Sequence, residues 1–211
     1  MVVDLTRYGI KMKWIVTGGN KGLGRRLVTH FGAESLSRVN GYDITKNAEL
    51  IARESIQADV FVNNAFDGPP HEPWADFGQV QVLMAVYKQW REWKKTGYII
   101  NIGSVGSHYP SKPEPDFETY RVSKAALDYA SAQCTYAFKQ NSVPFRTTLI
   151  VPDRLDTPVV RTRESYTGNA ISLDDICTYC EWLVSTAPNT VIEKTVMWCN
   201  LHHSIPDESK S

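Results

Sequence analysis

Twice in this 211-residue chain a tyrosine stands four positions before a lysine: Tyr42 with Lys46, and Tyr120 with Lys124. A free phenol ionises near pH 10, too high for easy proton exchange at neutrality. A neighbouring ammonium favours the phenolate and brings that exchange within reach. Spacing alone does not choose between the pairs, because with ten tyrosines the pattern arises by chance roughly half the time. Setting does. Tyr42 and Lys46 straddle a strand-end turn, whereas Tyr120 and Lys124 lie in a helical pattern, where residues four apart meet on one face. Ser104 ends the apolar run "YIINIGS" and adds a hydroxyl that can hold a reacting oxygen.

A second constellation lies near the start, "TGGNKGLG" from Thr17 to Gly24, between the apolar "KWIV" and the helical "RRLVTHFG". Glycine is costly in regular structure, so such a cluster implies close approach of a ligand to the main chain. A glycine-rich turn between a strand and a helix aims amide N–H groups and the positive helix end at one point, which suits a pyrophosphate.

The elements that must position these residues follow from periodicity. Strands are expected at 13–17, 35–40 (weak), 58–64, 98–103, 145–151 and 190–198, with Arg38 inside the second. Helices are expected after the glycine turn, at 47–55, at 74–95, at 116–140 with Asp116 as N-cap, and near 172–185. Alternating strands and helices predict an α/β protein: a doubly wound, mostly parallel sheet, the Rossmann fold, with six or seven strands and helices on both faces. One domain is expected over 12–200, with 1–11 an N-terminal extension and 201–211 a tail.

The motif set resembles the short-chain dehydrogenase/reductase family. Thr17, Gly18, Gly22 and Gly24 match its T-G-x-x-x-G-x-G turn; Asn63-Asn64-Ala65-Phe66 is like its N-N-A-G; "NIGS" is like the segment of its catalytic serine; Tyr120-x-x-x-Lys124 follows, then Pro152 and Thr157 of "VPDRLDTP". The order is the family's, and the motifs span residues 17 to 157. The resemblance implies hydride transfer between a nicotinamide cofactor and a carbonyl or alcohol substrate. Tyr120 would be the acid or base, Lys124 would hold both phenol and nicotinamide ribose, and Ser104 would orient the substrate oxygen. It also implies cofactor contacts at Thr17, Gly18, Asn20, Lys21, Gly22, Leu23, Gly24, Asp43, Ile44, Asn64, Ala65, Phe66, Tyr120, Lys124, Pro152 and Thr157. Lys21 in the turn, and the lack of an acidic residue closing "SLSRVN", favour NADP over NAD; Asn40 there is a weak phosphate ligand.

The chain departs from the family pattern in several places. Phe66 and Asp153 replace glycines that let the backbone approach the cofactor. Only "NGY" separates the second strand from "DIT" (43–45), so the family's second helix is deleted and its third strand reduced. Gln81 is the nearest match to the family's active-site asparagine, beside the reading of an ordinary helix glutamine. These losses keep a second function open, a catalytically silent dinucleotide-binding sensor or interaction protein on the same fold.

Other classes are less favoured. Twenty-three basic residues balance twenty-three acidic ones, and no apolar run is long enough to span a bilayer, so neither nucleic acid nor membrane is an expected partner. No signal-peptide layout opens the chain, and a cytoplasmic location is expected. Cys177-x-x-Cys180 and Cys199-x-x-His202 resemble halves of a zinc ribbon on paper, but their helix and strand settings favour buried thiols and no metal. His108 is expected to be exposed; Arg161 and Arg163 lie in a loop expected to cover the site. A homodimer through helices 74–95 and 116–140 is the expected assembly.

Overall fold

The computed structural model describes residues 12–66, 77–108, 118–162 and 168–199. The extension 1–11, Asp116, Arg163 and His202 lie outside them. Among the described residues, six strands form one parallel sheet in the order β2-β1-β3-β4-β5-β6: β1 (Trp14–Thr17), β2 (Glu34–Leu36), β3 (Val60–Asn63), β4 (Gly97–Ile102), β5 (Phe145–Pro152) and β6 (Lys194–Met197). Every residue of β1, β3 and β5 is buried, as strands covered on both faces require.

Alternation along the strands splits the core in two. Trp14, Val16, Val60, Val62, Tyr98 and Ile100 pack with Leu23 and Leu27 of α1 (Gly22–Phe31) and Ile176, Cys177, Cys180 and Leu183 of α6 (Leu173–Ser185). The intervening Ile15, Phe61 and Ile99 face the other layer, α2 (Ala48–Ser55), α3 (Gly78–Glu92) and α4 (Glu118–Lys139). A one-turn helix, α5 (Pro158–Arg161), follows β5 and was not expected from periodicity.

The second strand is shorter than the sequence suggests. It ends at Leu36, and Arg38–Asn40 form a 3-10 turn, so Arg38 lies beyond the strand rather than within it. The Asn40 side chain causes this: its Oδ1 accepts from the Ser37 amide at 2.8 Å and the Ser37 hydroxyl at 2.9 Å, offering the backbone an alternative to the ladder. That turn stands where the resembled pattern has its second helix. Residues 41–47 form only turns and irregular chain, so they hold no third strand, and among the described residues β2 is the edge of the sheet.

The sheet grows outward from β1 in both directions, toward β2 on one side and β3 on the other. The carboxyl ends of β1 and β3 therefore flank the crevice where open sheets bind ligands. The glycine turn and Asn64-Ala65-Phe66 both lie there.

Candidate functional site

Thr17 is fully buried, and its Oγ1 accepts from the amides of Asn64 and Ala65, both at 2.9 Å. Asn64 Nδ2 donates back to Thr17 O at 2.9 Å. These two side chains thus rivet β1 to β3 and form the floor of the crevice. Gly18 has φ +72°, and a Cβ there would meet Ala65 at 3.0 Å; a Cβ at Gly24 would stand 2.2 Å from Gly18 O. The turn is compressed against the strand ends as well as open toward a ligand.

Helix α1 begins inside this turn. Its N-cap, Lys21, supplies no side-chain acceptor, so the first-turn amides rely on something other than their cap. Leu23 sends its side chain into the core, and a Cβ at Gly22 would lie 3.6 Å from Thr157 Cγ2, so the loop after β5 faces the turn. Asn20 and Lys21 are exposed. Asn20 Nδ2 donates to Ser37 Oγ at 3.0 Å, which draws the turn against the end of β2, where Arg38 also stands exposed.

Asp43 accepts from the Thr45 amide at 2.9 Å and the Thr45 hydroxyl at 2.8 Å. Burial would raise its carboxyl, but these bonds and the charges of Arg38 and Lys46 hold it below the usual value. Ile44 is buried beneath α3, where a Cβ at Gly78 would meet its side chain at 2.9 Å.

Ser104, Tyr120 and Lys124 come together above β4. Ser104 follows β4, caps the 3-10 turn Val105–Ser107, and its Oγ accepts from the Gly106 amide at 3.2 Å. A Cβ on Gly106 would lie 3.5 Å from Ser104 Oγ and 3.6 Å from Tyr120 Cε1, so one bare residue separates serine from tyrosine. Tyr120 occupies the first turn of α4 and Lys124 the next. The Lys124 ammonium lies 5.7 Å from the Tyr120 ring centroid and 5.2 Å from that of Phe66. Phe66 itself meets Tyr120 edge to face, centroids 4.8 Å apart. Where the resembled motif has a glycine, an aromatic ring therefore covers the lysine and abuts the phenol.

Gln81 does not join this group. It is exposed and lines a surface groove with Glu49 and Arg53 of α2. Gln79, two positions earlier and 2% exposed, is the glutamine that reaches the site: Lys124 Nζ donates to its Oε1 at 2.6 Å. A signal for it existed in the sequence. Gln79 falls on the apolar stripe of Val82, Leu83, Val86 and Trp90, while Gln81 lies about 200° around the helix. Asn63, behind Gln79, donates to Gln79 O at 2.9 Å and to Asn101 Oδ1 at 3.0 Å, and Asn101 continues to Ser131.

Pro152 closes β5 in register with Met197, and Thr157 Oγ1 caps α5 through Val160 N. Asp153 accepts from the Cys199 thiol at 3.0 Å. Arg161 grips Asp156 through two bonds of 2.6 Å. His108 differs from expectation: half-buried, it meets Ser107 Oγ at 2.8 Å, Asp128 at 3.1 Å and Lys194 at 3.2 Å. Cys177 and Cys180 are core residues of α6, and burial pushes the Cys177 thiol up to about 11 and that of Cys180 higher still. Among the described residues, no three His, Cys, Asp or Glu side chains are grouped to hold a metal.

The fold is that of short-chain dehydrogenase/reductase structures. An oxidoreductase of that family from Burkholderia thailandensis matches with a TM-score of 0.68 at 18% identity, over 89% of this chain and 90% of its own. The 3-ketoacyl-(acyl-carrier-protein) reductase from Brucella melitensis, complexed with NADH, matches with 0.65 at 18%, over 88% and 95%. Serine dehydrogenase from Escherichia coli gives 0.67 at 18%, over 92% and 100%. No protein-family model matches the sequence, and no curated protein matches it.

Proposed function

We propose that this chain is an NADP-dependent oxidoreductase of the short-chain dehydrogenase/reductase type, acting in the cytoplasm on a small carbonyl or alcohol substrate. The observation that carries this reading is that Ser104 and Tyr120 meet across Gly106 with the Lys124 ammonium 5.7 Å from the Tyr120 ring centroid, beside a crevice floored by the glycine turn.

The residues present fit such a cofactor. The first-turn amides of α1 suit a pyrophosphate, and Thr157 faces them across Gly22. Lys21 and Arg38 border the side where a 2′-phosphate would lie, and Arg38 takes up this position because the strand stops at Leu36. When bound, a nicotinamide supplies or accepts the hydride. The protein moves the proton. Ser104 Oγ hydrogen-bonds the substrate oxygen, and Tyr120 donates its phenolic proton to that oxygen as it becomes an alcohol, or takes it back in reverse. Lys124, 5% exposed, keeps a positive charge behind the phenol and favours the ionised form left after donation.

A silent dinucleotide binder remains the second reading, favoured by Phe66, whose ring covers Lys124 and abuts Tyr120. Turnover separates the two. With NADPH and a broad panel of aldehydes and ketones, the wild type should reduce at least one substrate. Tyr120→Phe should lose activity by about 10²-fold or more while keeping its fold and nucleotide affinity. An active wild type whose Tyr120→Phe variant keeps its rate would remove Tyr120 from the acid role, and a wild type inert across the panel would favour the silent binder.

A further inference from the structure

Gln79 is buried at the carboxyl ends of β3 and β4, where an amide is costly unless all its groups are bonded. Its Nε2 donates to Asn63 O at 2.6 Å and to Ile102 O at 3.0 Å. Both partners are acceptors only, so the NH2 must face them and the carbonyl oxygen must face away. That oxygen meets Lys124 Nζ at 2.6 Å, and the ammonium also donates to Ile102 O at 3.1 Å. The amide thus joins both strand ends and α4 to its own helix, with each of its atoms assigned by its partners.

A carboxylate in this position would hold the ammonium equally well, but it would cancel the lysine charge and set two carbonyl oxygens against an anion. A neutral amide does neither. We propose that Gln79 is a positioning residue: it fixes the Lys124 ammonium at one depth behind Tyr120 and, being uncharged, does not itself weaken the field of that ammonium on the phenol. This deepens the proposed function, since it gives Gln79 a role through the tyrosine and lysine on which that reading rests. The same ammonium lies 5.2 Å from the centroid of the Phe66 ring, which attracts a cation without neutralising it.

The test needs neither nucleotide nor turnover. Carbon-13 NMR of the ligand-free protein follows the titration of the Lys124 side chain and the Tyr120 ring, assigned with Lys124→Met and Tyr120→Phe. Gln79→Glu should raise both titrations by about one unit, because a carboxylate stabilises the ammonium and screens it from the phenolate. Gln79→Met, of similar shape but without an acceptor, should lower the lysine titration. Arg121, whose Cγ would lie 3.8 Å from a Cβ on Gly106, is common to all variants. If Gln79→Glu does not fold, the lysine titration of Gln79→Met decides. Titrations identical to wild type, with only the melting temperature reduced, would make Gln79 a structural staple and overturn the proposal. An inert wild type would instead remove the proposed activity while leaving this measurement readable.

Discussion

Two basic residues, Lys21 and Arg38, come to the same border of the crevice by different routes. Lys21 is fixed by the glycine turn itself, as its N-cap. Arg38 arrives because Asn40 folds back on Ser37 and ends the strand, a competition between side chain and ladder that periodicity does not register. If both meet a 2′-phosphate, calorimetric titration should show NADPH binding about tenfold more tightly than NADH, a difference of roughly 1.4 kcal/mol. Lys21→Ala should narrow that gap without lowering the affinity for NADH in proportion. Equal affinities in the wild type would rule out the NADP preference. The same scale shows where sequence reading reached its limit. The proximity of Ser104, Tyr120 and Lys124 was legible because two lie on one helix and the third follows a strand. Gln79 was missed for Gln81 because counting from the serine crosses segments whose geometry spacing does not fix. Helix phase, not distance along the chain, marks Gln79 as the inward-facing glutamine.

The strands, and the helices that flank them, follow the expected order, because each is marked by its own apolar period. What periodicity could not supply is how strand ends are locked together. Thr17 and Asn64 do this between β1 and β3, and Gly24 lets α1 lie directly on that joint, with Gly18 O only 2.2 Å from where a Cβ would be. A methyl group there must push the helix off the strand end. Gly24→Ala should therefore cost about 2 kcal/mol through overpacking, lowering the melting temperature by roughly 4–8 °C for a chain of this size. Circular dichroism melts provide the measurement. A variant that melts with the wild type would mean that α1 has room to shift and that the glycine is kept for the ligand alone.

At the scale of the molecule, helices α3 and α4 leave much apolar surface uncovered: Met84 on α3, and Val122, Tyr129 and Tyr136 on α4, with Tyr129 70% exposed. We propose that a second copy covers this face, and light scattering at micromolar concentration should return twice the chain mass of 23.8 kDa. A monomeric mass would contradict the dimer, and Tyr129→Asp should shift an existing dimer toward monomer. The opposite flank of the sheet is closed in another way. Among the described residues β2 ends the sheet, and an open edge invites any extended chain to add itself. Leu36 O accepts from Gly18 on the inner side, so the Ser35 carbonyl points outward, and Asn40 Nδ2 takes it at 2.5 Å. The turn that brings Arg38 to the crevice thus also occupies an outward acceptor of the edge strand. One asparagine side chain both ends the strand and takes up a carbonyl that an added chain would need.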